Sequence, residues 1–324
     1  MNFLIIGAGA WGCAMAAHLK RCGHAVTVVC HNDEVKAKLQ RDGENKTRLP
    51  GIKLAGIEFI TPEEIPSETD VAMVALPSHV FKEVIGPLKI KTQSWVGLAK
   101  GFIFETLSTP CELLERILPR GAKVLCLNGP AHAAEVAQGL PCAMVLCGSA
   151  SRKAMQNLQT AISSSTMRIY TSRDRRGAEL GGALKNSFAV AAGVCDGLGI
   201  GDNAKAGLMT RALSEMARIG MRLGGKRETF FGLTGVGDLM ATSYGAWSRN
   251  RQLGERVARG ESAEILVAQG LTAEGYRASK GLLELARKKH VPSPILEQVV
   301  EVLYQGKDSR EAMMTLMGRK LKRE

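Results

Sequence analysis

Phe3-Leu4-Ile5-Ile6-Gly7-Ala8-Gly9-Ala10-Trp11-Gly12 is the stretch that decides the fold. Four apolar residues read as a short buried strand. The glycines behind them are spaced G-x-G-x-x-G, and residues 11–22 carry a helical pattern. Strand, glycine turn and helix in this order open a dinucleotide-binding βαβ unit. Gly7 permits the tight turn, Gly9 lets a pyrophosphate approach the backbone, and Gly12 allows strand and helix to pack closely. The exposed N–H groups at the helix start then face the diphosphate.

Outward from this stretch, apolar and β-branched runs recur at 25–29, 71–76, 95–99, 124–127, 143–147 and 167–170, with helical stretches between them. Continuous apolar strands alternating with helices imply a parallel sheet covered on both faces. From about residue 178 the strand signals stop. A long Ala/Gly-rich segment, 179–198, leads into helical patterns over 204–223, 250–259, 273–289, 293–305 and 309–321. The expected architecture is α/β: a Rossmann-type doubly wound parallel sheet over 1–178, followed by an all-helical C-terminal domain over 179–324. No flexible linker marks the boundary, so the Ala/Gly segment is expected to pack against the first domain.

The 324-residue chain is 45% hydrophobic and 23% charged, ordinary for a globular protein with two cores. Its eight cysteines are scattered without a CxxC pair or a metal spacing and read as small buried hydrophobes in a reducing cytoplasm. The start has no signal-peptide pattern, and no apolar run approaches the length of a membrane span. The net charge of +12 suits anionic partners. Only 5% of residues are aromatic and no basic block has stacking residues interleaved, which argues against nucleic acid. The basic run 319–323 reads as the solvated end of the last helix, with peripheral contact to anionic lipid as the lesser reading.

Several polar groups stand among small or apolar residues. Lys185-Asn186 lies in such a stretch, where a buried ammonium needs a partner and can serve as a proton donor. From local sequence alone an exposed lysine on one helix face is the better reading. Lys100-Gly101 ends a strand, at the carboxyl edge where open α/β sheets hold ligands. Asp238 follows Gly232, Gly235 and Gly237, which point to an unusual backbone path near a ligand. Ser248-Arg249-Asn250 precedes a helix. Ser248 reads equally well as an N-cap, and Arg249 suits a phosphate. On the cofactor side, the second strand ends without an acid to hold the adenine ribose. His31, Lys36 and Lys38 stand where a 2′-phosphate would lie, and the two lysines read equally well as solvated charges.

Together these segments resemble the bacterial-type NAD(P)-dependent glycerol-3-phosphate dehydrogenases. The resemblance runs in order through Gly7–Gly12, the NKTRLPG stretch 45–51, Pro77-Ser78, Lys100-Gly101, Gly129-Pro130, Glu135-Val136, 177–186 and 196–203. It continues through Thr210-Arg211, Phe231–Leu233, Gly235–Asp238, Ser248–Asn250 and Glu274-Gly275. It implies an oxidoreductase acting on a CH–OH group: reversible hydride transfer between NAD(P)H and dihydroxyacetone phosphate, giving sn-glycerol 3-phosphate for glycerophospholipid synthesis. It implies a substrate cleft between the domains, a homodimer, no metal, a cofactor that is NAD or NADP, and a phosphorylated triose as small-molecule partner. Lys185 becomes the proton donor and acceptor. Lys100, Gly129, Ala131, Asn186, Asp238, Ser248, Arg249 and Asn250 line the substrate site. Ala10, Trp11, His31, Asn32, Lys100, Ala133, Arg249 and Glu274 join the glycines around the cofactor.

Three positions depart from the family's pattern. Asn32 stands where many relatives have Arg, which weakens a 2′-phosphate clamp. Ala131 lacks a hydroxyl on the substrate side, and Phe102-Ile103 replaces Ile-Glu after Lys100-Gly101. The rival readings are a β-hydroxyacid dehydrogenase on the same plan and a catalytically silent nucleotide sensor. Asp238 with Ser248–Asn250 favours a phosphorylated substrate over the first, and Lys185, Asp238 and Arg249 together disfavour the second.

Overall fold

The computed structural model describes residues 1–321 and Arg323, so the basic run 319–323 lies partly outside the described residues. The chain divides into two compact units, Met1–Arg175 and Arg176–Glu324.

The strands of the first unit are β1 (Asn2–Ile6), β2 (Ala25–Val29), β3 (Glu44–Asn45), β4 (Leu49–Lys53), β5 (Glu58–Ile60), β6 (Glu68–Val74), β7 (Lys91–Gly97), β8 (Val124–Asn128), β9 (Cys142–Gly148) and β10 (Met167–Ser172). Its helices are α1 (Ala10–Arg21), α2 (Asp33–Asp42), α3 (Phe81–Ile85), α4 (Pro110–Ile117), α5 (Ala133–Gln138) and α6 (Arg152–Ile162). Eight strands form one sheet in the order β10-β9-β8-β7-β6-β1-β2-β5, and β3 pairs with β4 in a separate hairpin. β1 lies between β2 and β6, parallel to both, so the winding direction reverses at β1. That switch point is where an open α/β sheet leaves a crevice at the carboxyl ends of its strands. β1, β8 and the carboxyl-terminal halves of β6 and β7 are buried on both faces, as a covered parallel sheet requires.

One pairing departs from the parallel plan: β9 runs antiparallel to β8. The connection holds only the six-residue α5. At about 1.5 Å per residue such a helix is shorter than the strands beside it, so the chain stays at the carboxyl edge and β9 runs back. Arg21 fixes α5 there, its guanidinium donating to the Val136 and Ala137 carbonyls at 2.6 and 2.7 Å. Residues 129–133 are thereby held at the same sheet edge as Gly7.

The second unit contains α7 (Arg175–Leu198), α8 (Asp202–Arg222), α9 (Arg227–Phe230), α10 (Asp238–Tyr244), α11 (Arg249–Ala258), α12 (Ala263–Ala268), α13 (Glu274–Lys288), α14 (Pro294–Gln305) and α15 (Ser309–Met317). The sequence pattern missed α9, α10 and α12, and the last helix stops at 317 instead of 321. The small residues of α7 bring backbones together. A Cβ on Gly193 would lie 1.9 Å from the Arg251 carbonyl oxygen, and one on Gly254 of α11 would lie 2.0 Å from that of Val190. A Cβ on Gly181 would meet the Thr234 carbonyl at 2.3 Å. Helix α7 therefore seats α11 and the 233–237 segment directly on its own backbone, and both segments carry polar groups toward Lys185 and Asn186. No helix among the described residues is long and apolar enough to cross a membrane.

Candidate active site

In the first unit Gly7 and Gly12 take the tight turn and the close strand–helix approach expected of them. Gly7 has φ +117°, its N–H donates to the Val29 carbonyl at 3.1 Å, and an added Cβ would lie 2.7 Å from the Ala75 oxygen. A Cβ on Gly12 would sit 2.0 Å from the Gly7 oxygen, so strand and helix touch there. Gly9 is different: a Cβ would meet nothing within 4 Å. It caps α1, no side chain caps that helix, and no acid stands in its first turn. Open space above a bare helix N-terminus fits a pyrophosphate. Ala10 opens the helix and Trp11 follows it, half-buried.

Asn45, which the sequence reading placed in a family stretch without a role, holds this turn. Its amide donates to the Ala8 carbonyl at 2.9 Å and its oxygen accepts from Arg48 N at 3.1 Å. It comes from the β3–β4 hairpin, 37 residues away, a long-range contact that no local pattern announces.

The ribose end is less committed. His31 is exposed beyond β2, and Asn32 spends its side-chain oxygen as the N-cap of α2, accepting from Val35 N at 2.9 Å. Lys36 is held by both oxygens of Glu64 at 2.6 Å, which raises the lysine and lowers the carboxyl from their ordinary values. Its charge is paired with Glu64, so Lys36 is not the simple solvated lysine of the sequence reading.

On the other side of β1, Lys100 beyond β7 donates to the Gly129 carbonyl beyond β8 at 3.1 Å. Gly129 has φ +140°, and a Cβ there would crowd Met144 Cα at 3.1 Å. Ala131 and Ala133 follow, half-buried, at the entry to α5. The first unit thus brings Gly7–Gly12, Lys100, Gly129, Ala131 and Ala133 to one sheet edge.

In the second unit Lys185 is buried, not exposed as local sequence alone favours. Its ammonium donates to Asp238 Oδ1 and to Thr242 Oγ1, both at 2.6 Å. The Thr242 hydroxyl donates in turn to the Asp238 carbonyl at 2.7 Å, leaving its oxygen to accept from Lys185. Asp238 opens α10 behind a π-helical turn, Leu233–Gly237, in which Gly237 N reaches back to Gly232 O at 3.2 Å. This is the unusual path the glycines implied. A Cβ on Gly235 would lie 2.1 Å from the Phe230 oxygen. Thr242 was missed. Its only signal is the i, i+4 spacing from Asp238, and that spacing has meaning once 238–244 is known to be helical.

A second network adjoins on α7. The Asn186 amide donates to Glu274 Oε2 at 2.8 Å, and its oxygen accepts from the Asn250 amide at 2.9 Å. The Asn250 oxygen accepts from Gly275 N at 2.8 Å. The ring ties α7, α11 and α13 together and leaves Glu274 exposed at the start of α13. Ser248 caps α11, accepting from Arg251 N at 3.2 Å. Arg249 is exposed in the first turn of α11, and its guanidinium donates to the Thr272 hydroxyl. Arg251 anchors that turn from behind through Asp196 at 2.7 Å, which also holds Lys205 at 2.8 Å.

Two family models divide the chain between them. The N-terminal model of NAD-dependent glycerol-3-phosphate dehydrogenase matches residues 2–155, and its C-terminal model matches residues 174–314. The chain belongs to the NAD-dependent glycerol-3-phosphate dehydrogenase family. It is an oxidoreductase with NAD or NADP as cofactor. It is 41% identical over 328 residues to the glycerol-3-phosphate dehydrogenase (NAD(P)+) of Thermus thermophilus, covering 100% of both chains. It is 39% identical to that of Moorella thermoacetica, with 98% of this chain and 96% of the relative covered. The crystal structure of glycerol-3-phosphate dehydrogenase from Coxiella burnetii superposes with a TM-score of 0.88 at 31% identity, covering 98% of this chain and 99% of that one. The N-terminal model falls within the first unit, and the C-terminal model covers most of the second, the buried lysine included.

Proposed function

We infer that this chain interconverts dihydroxyacetone phosphate and sn-glycerol 3-phosphate by reversible hydride transfer with NAD(P)H. The observation that carries the reading is the buried Lys185, held by Asp238 and Thr242 beside Asn186. When bound, the nicotinamide gives or takes the hydride.

The chain's own residues do the rest. Lys185 donates a proton to the substrate's central oxygen during reduction and takes it back during oxidation. As an ammonium it also stabilises the negative charge developing on that oxygen. Asp238 compensates the buried charge, and with Thr242 fixes the direction of the lysine. Arg249, exposed at the first turn of α11, takes the substrate phosphate through paired charge-assisted hydrogen bonds. Binding that non-reacting group orients the central carbon. Asn186 and Asn250 are the polar groups beside Lys185, Ser248 sets the first turn of α11, and in the first unit Lys100, Gly129 and Ala131 stand at the sheet edge. Gly7, Gly9, Ala10, Trp11 and Gly12 would hold the pyrophosphate, His31, Asn32 and Ala133 would bind the cofactor from the same unit, and Glu274 in the second unit is a further cofactor-binding residue.

The enzyme works in the cytoplasm as a homodimer and supplies sn-glycerol 3-phosphate for glycerophospholipid synthesis. What supports this is the family membership together with a substrate whose phosphate an exposed arginine suits. Turnover of NADH or NADPH with dihydroxyacetone phosphate, compared with 2-oxo acids, tests the assignment. Turnover restricted to the phosphorylated ketone supports it, and robust turnover of a 2-oxo acid overturns it.

A further inference from the structure

The second unit carries an open surface cavity of about 400 Å3, most of its lining side chains exposed and none of them part of the Lys185 or Asn186 networks. Helix α8 supplies Arg218, Met221 and Arg222, and the turn between α13 and α14 supplies Lys289, His290 and Val291. The volume falls within the range of small-ligand sites, roughly 300–1,000 Å3.

Its charge is poorly compensated. Arg218 and Arg222 are four residues apart on one helix, where like charges repel. Arg218 donates to the Pro292 carbonyl at 3.4 Å and lies 3.9 Å from Glu215. Glu215 is a weak counter-charge, because burial lifts its carboxyl to about 7. Arg222 and Lys289 have no ion-pair partner among the described residues. Three cations therefore line the cavity, and among the described residues only Arg218 has an acid, Glu215, within ion-pair distance.

The wall is only partly cationic. Met221 is 39% exposed and lies between the two arginines in sequence, and Val291 lines the same cavity from the turn. His290 stands at φ 55° in the left-handed position that ends α13, with Val291 N bonded to the Ala286 carbonyl at 2.9 Å. Glycines take that position after α2, α5 and α14. Here an imidazole is placed there at a conformational cost, and it lines the cavity.

We propose that this cavity is a second ligand site, for an amphipathic organic anion: a phosphate monoester bearing an alkyl or aryl group. The phosphate lies among Arg218, Arg222 and Lys289, and the apolar part lies against Met221 and Val291. Octyl phosphate is a suitable probe. Calorimetric titration of the full chain with NADH at saturation is expected to show saturable binding that Arg249→Ala leaves in place. The double variant Arg222→Ala/Lys289→Ala weakens it about tenfold or more, corresponding to about 1.4 kcal/mol, with basal turnover unchanged. Met221→Glu, which leaves the cations intact, also weakens it, and inorganic phosphate binds less tightly than octyl phosphate. No saturable binding to the wild type, binding lost in Arg249→Ala but kept in the double variant, or equal binding of inorganic phosphate would each overturn the proposal.

Discussion

Lys185 Nζ and Asp238 Oδ1 lie 2.6 Å apart, on side chains only 8% and 3% exposed. A pair this deep is a poor source of net stability but a costly one to break, because removing one partner strands the other charge. Asp238→Ala is therefore expected to destabilise the second unit by about 3–5 kcal/mol. Asp238→Asn keeps the shape and loses the charge. It is expected to fold more stably than the alanine variant and yet lower kcat about a hundredfold. Chemical unfolding and steady-state kinetics on both variants check this. An Asn variant with wild-type kcat would remove Asp238 from the account.

Thr242 acts through Lys185 and is a positioning residue. Thr242→Val preserves volume and β-branching but removes the oxygen that accepts from the ammonium at 2.6 Å. We expect kcat to fall about tenfold, the equivalent of one net hydrogen bond, while KM for the ketone changes little. Thr242→Ser restores the oxygen and should recover most of kcat. A change confined to thermal stability, or no recovery with serine, would reduce Thr242 to a structural role.

The two outer glycines of the fingerprint and the middle one predict opposite phenotypes. Gly12→Ala forces a methyl to 2.0 Å from the Gly7 oxygen, so the variant loses both stability and cofactor binding. Gly9→Ala meets no protein atom within 4 Å. It is expected to melt with the wild type and to bind NADH and NADPH at least about tenfold more weakly, because the methyl occupies the space assigned to the pyrophosphate. Unchanged cofactor affinity in a folded Gly9→Ala protein would show that the diphosphate lies elsewhere.

Glu215 predicts a pH dependence of stability. Its carboxylate accepts from Leu296 N at 2.9 Å and Ile295 N at 3.1 Å at the start of α14. Burial outweighs those bonds and raises the group from 4.5 to about 7. The folded chain then keeps a proton that the unfolded chain has lost. The stabilisation is complete below about pH 4.5 and is lost as pH rises through about 7, roughly 3 kcal/mol in all at 1.36 kcal/mol per unit. Glu215→Gln has no proton to lose and presents one acceptor fewer, so it is less stable at low pH with a flatter profile above. Urea unfolding across that window reads the slope, and a slope identical in the variant would contradict the assignment.

Much of the first unit is legible from sequence because its signals are local. An apolar strand, a glycine turn and a helix announce themselves within a dozen residues, and the structure keeps each in place. The reversal of β9 is not local: it follows from a six-residue α5 too short to carry the chain back across the sheet. The same distinction runs through the site. Local sequence left Lys185 between an exposed lysine and a proton donor, because Asp238 and Thr242 lie 53 and 57 residues away. Lys36 read equally as a solvated charge or a phosphate ligand, because Glu64, its ion-pair partner, lies 28 residues on. Ser248 was open between cap and ligand, and the bond from Arg251 N shows the cap.

In the proposed reaction Lys185 moves the proton while the rest of the chain holds cofactor and ketone. Lys185→Met, close in length and without charge, tests it most directly through the oxidation of NADH and NADPH in the presence of dihydroxyacetone phosphate. Cofactor binding, measured separately by fluorescence, should stay within about threefold of wild type, with kcat down by about a hundred- to ten-thousandfold. A folded Lys185→Met protein that binds the cofactor and turns the ketone over at the wild-type rate would exclude Lys185 from the proton transfer.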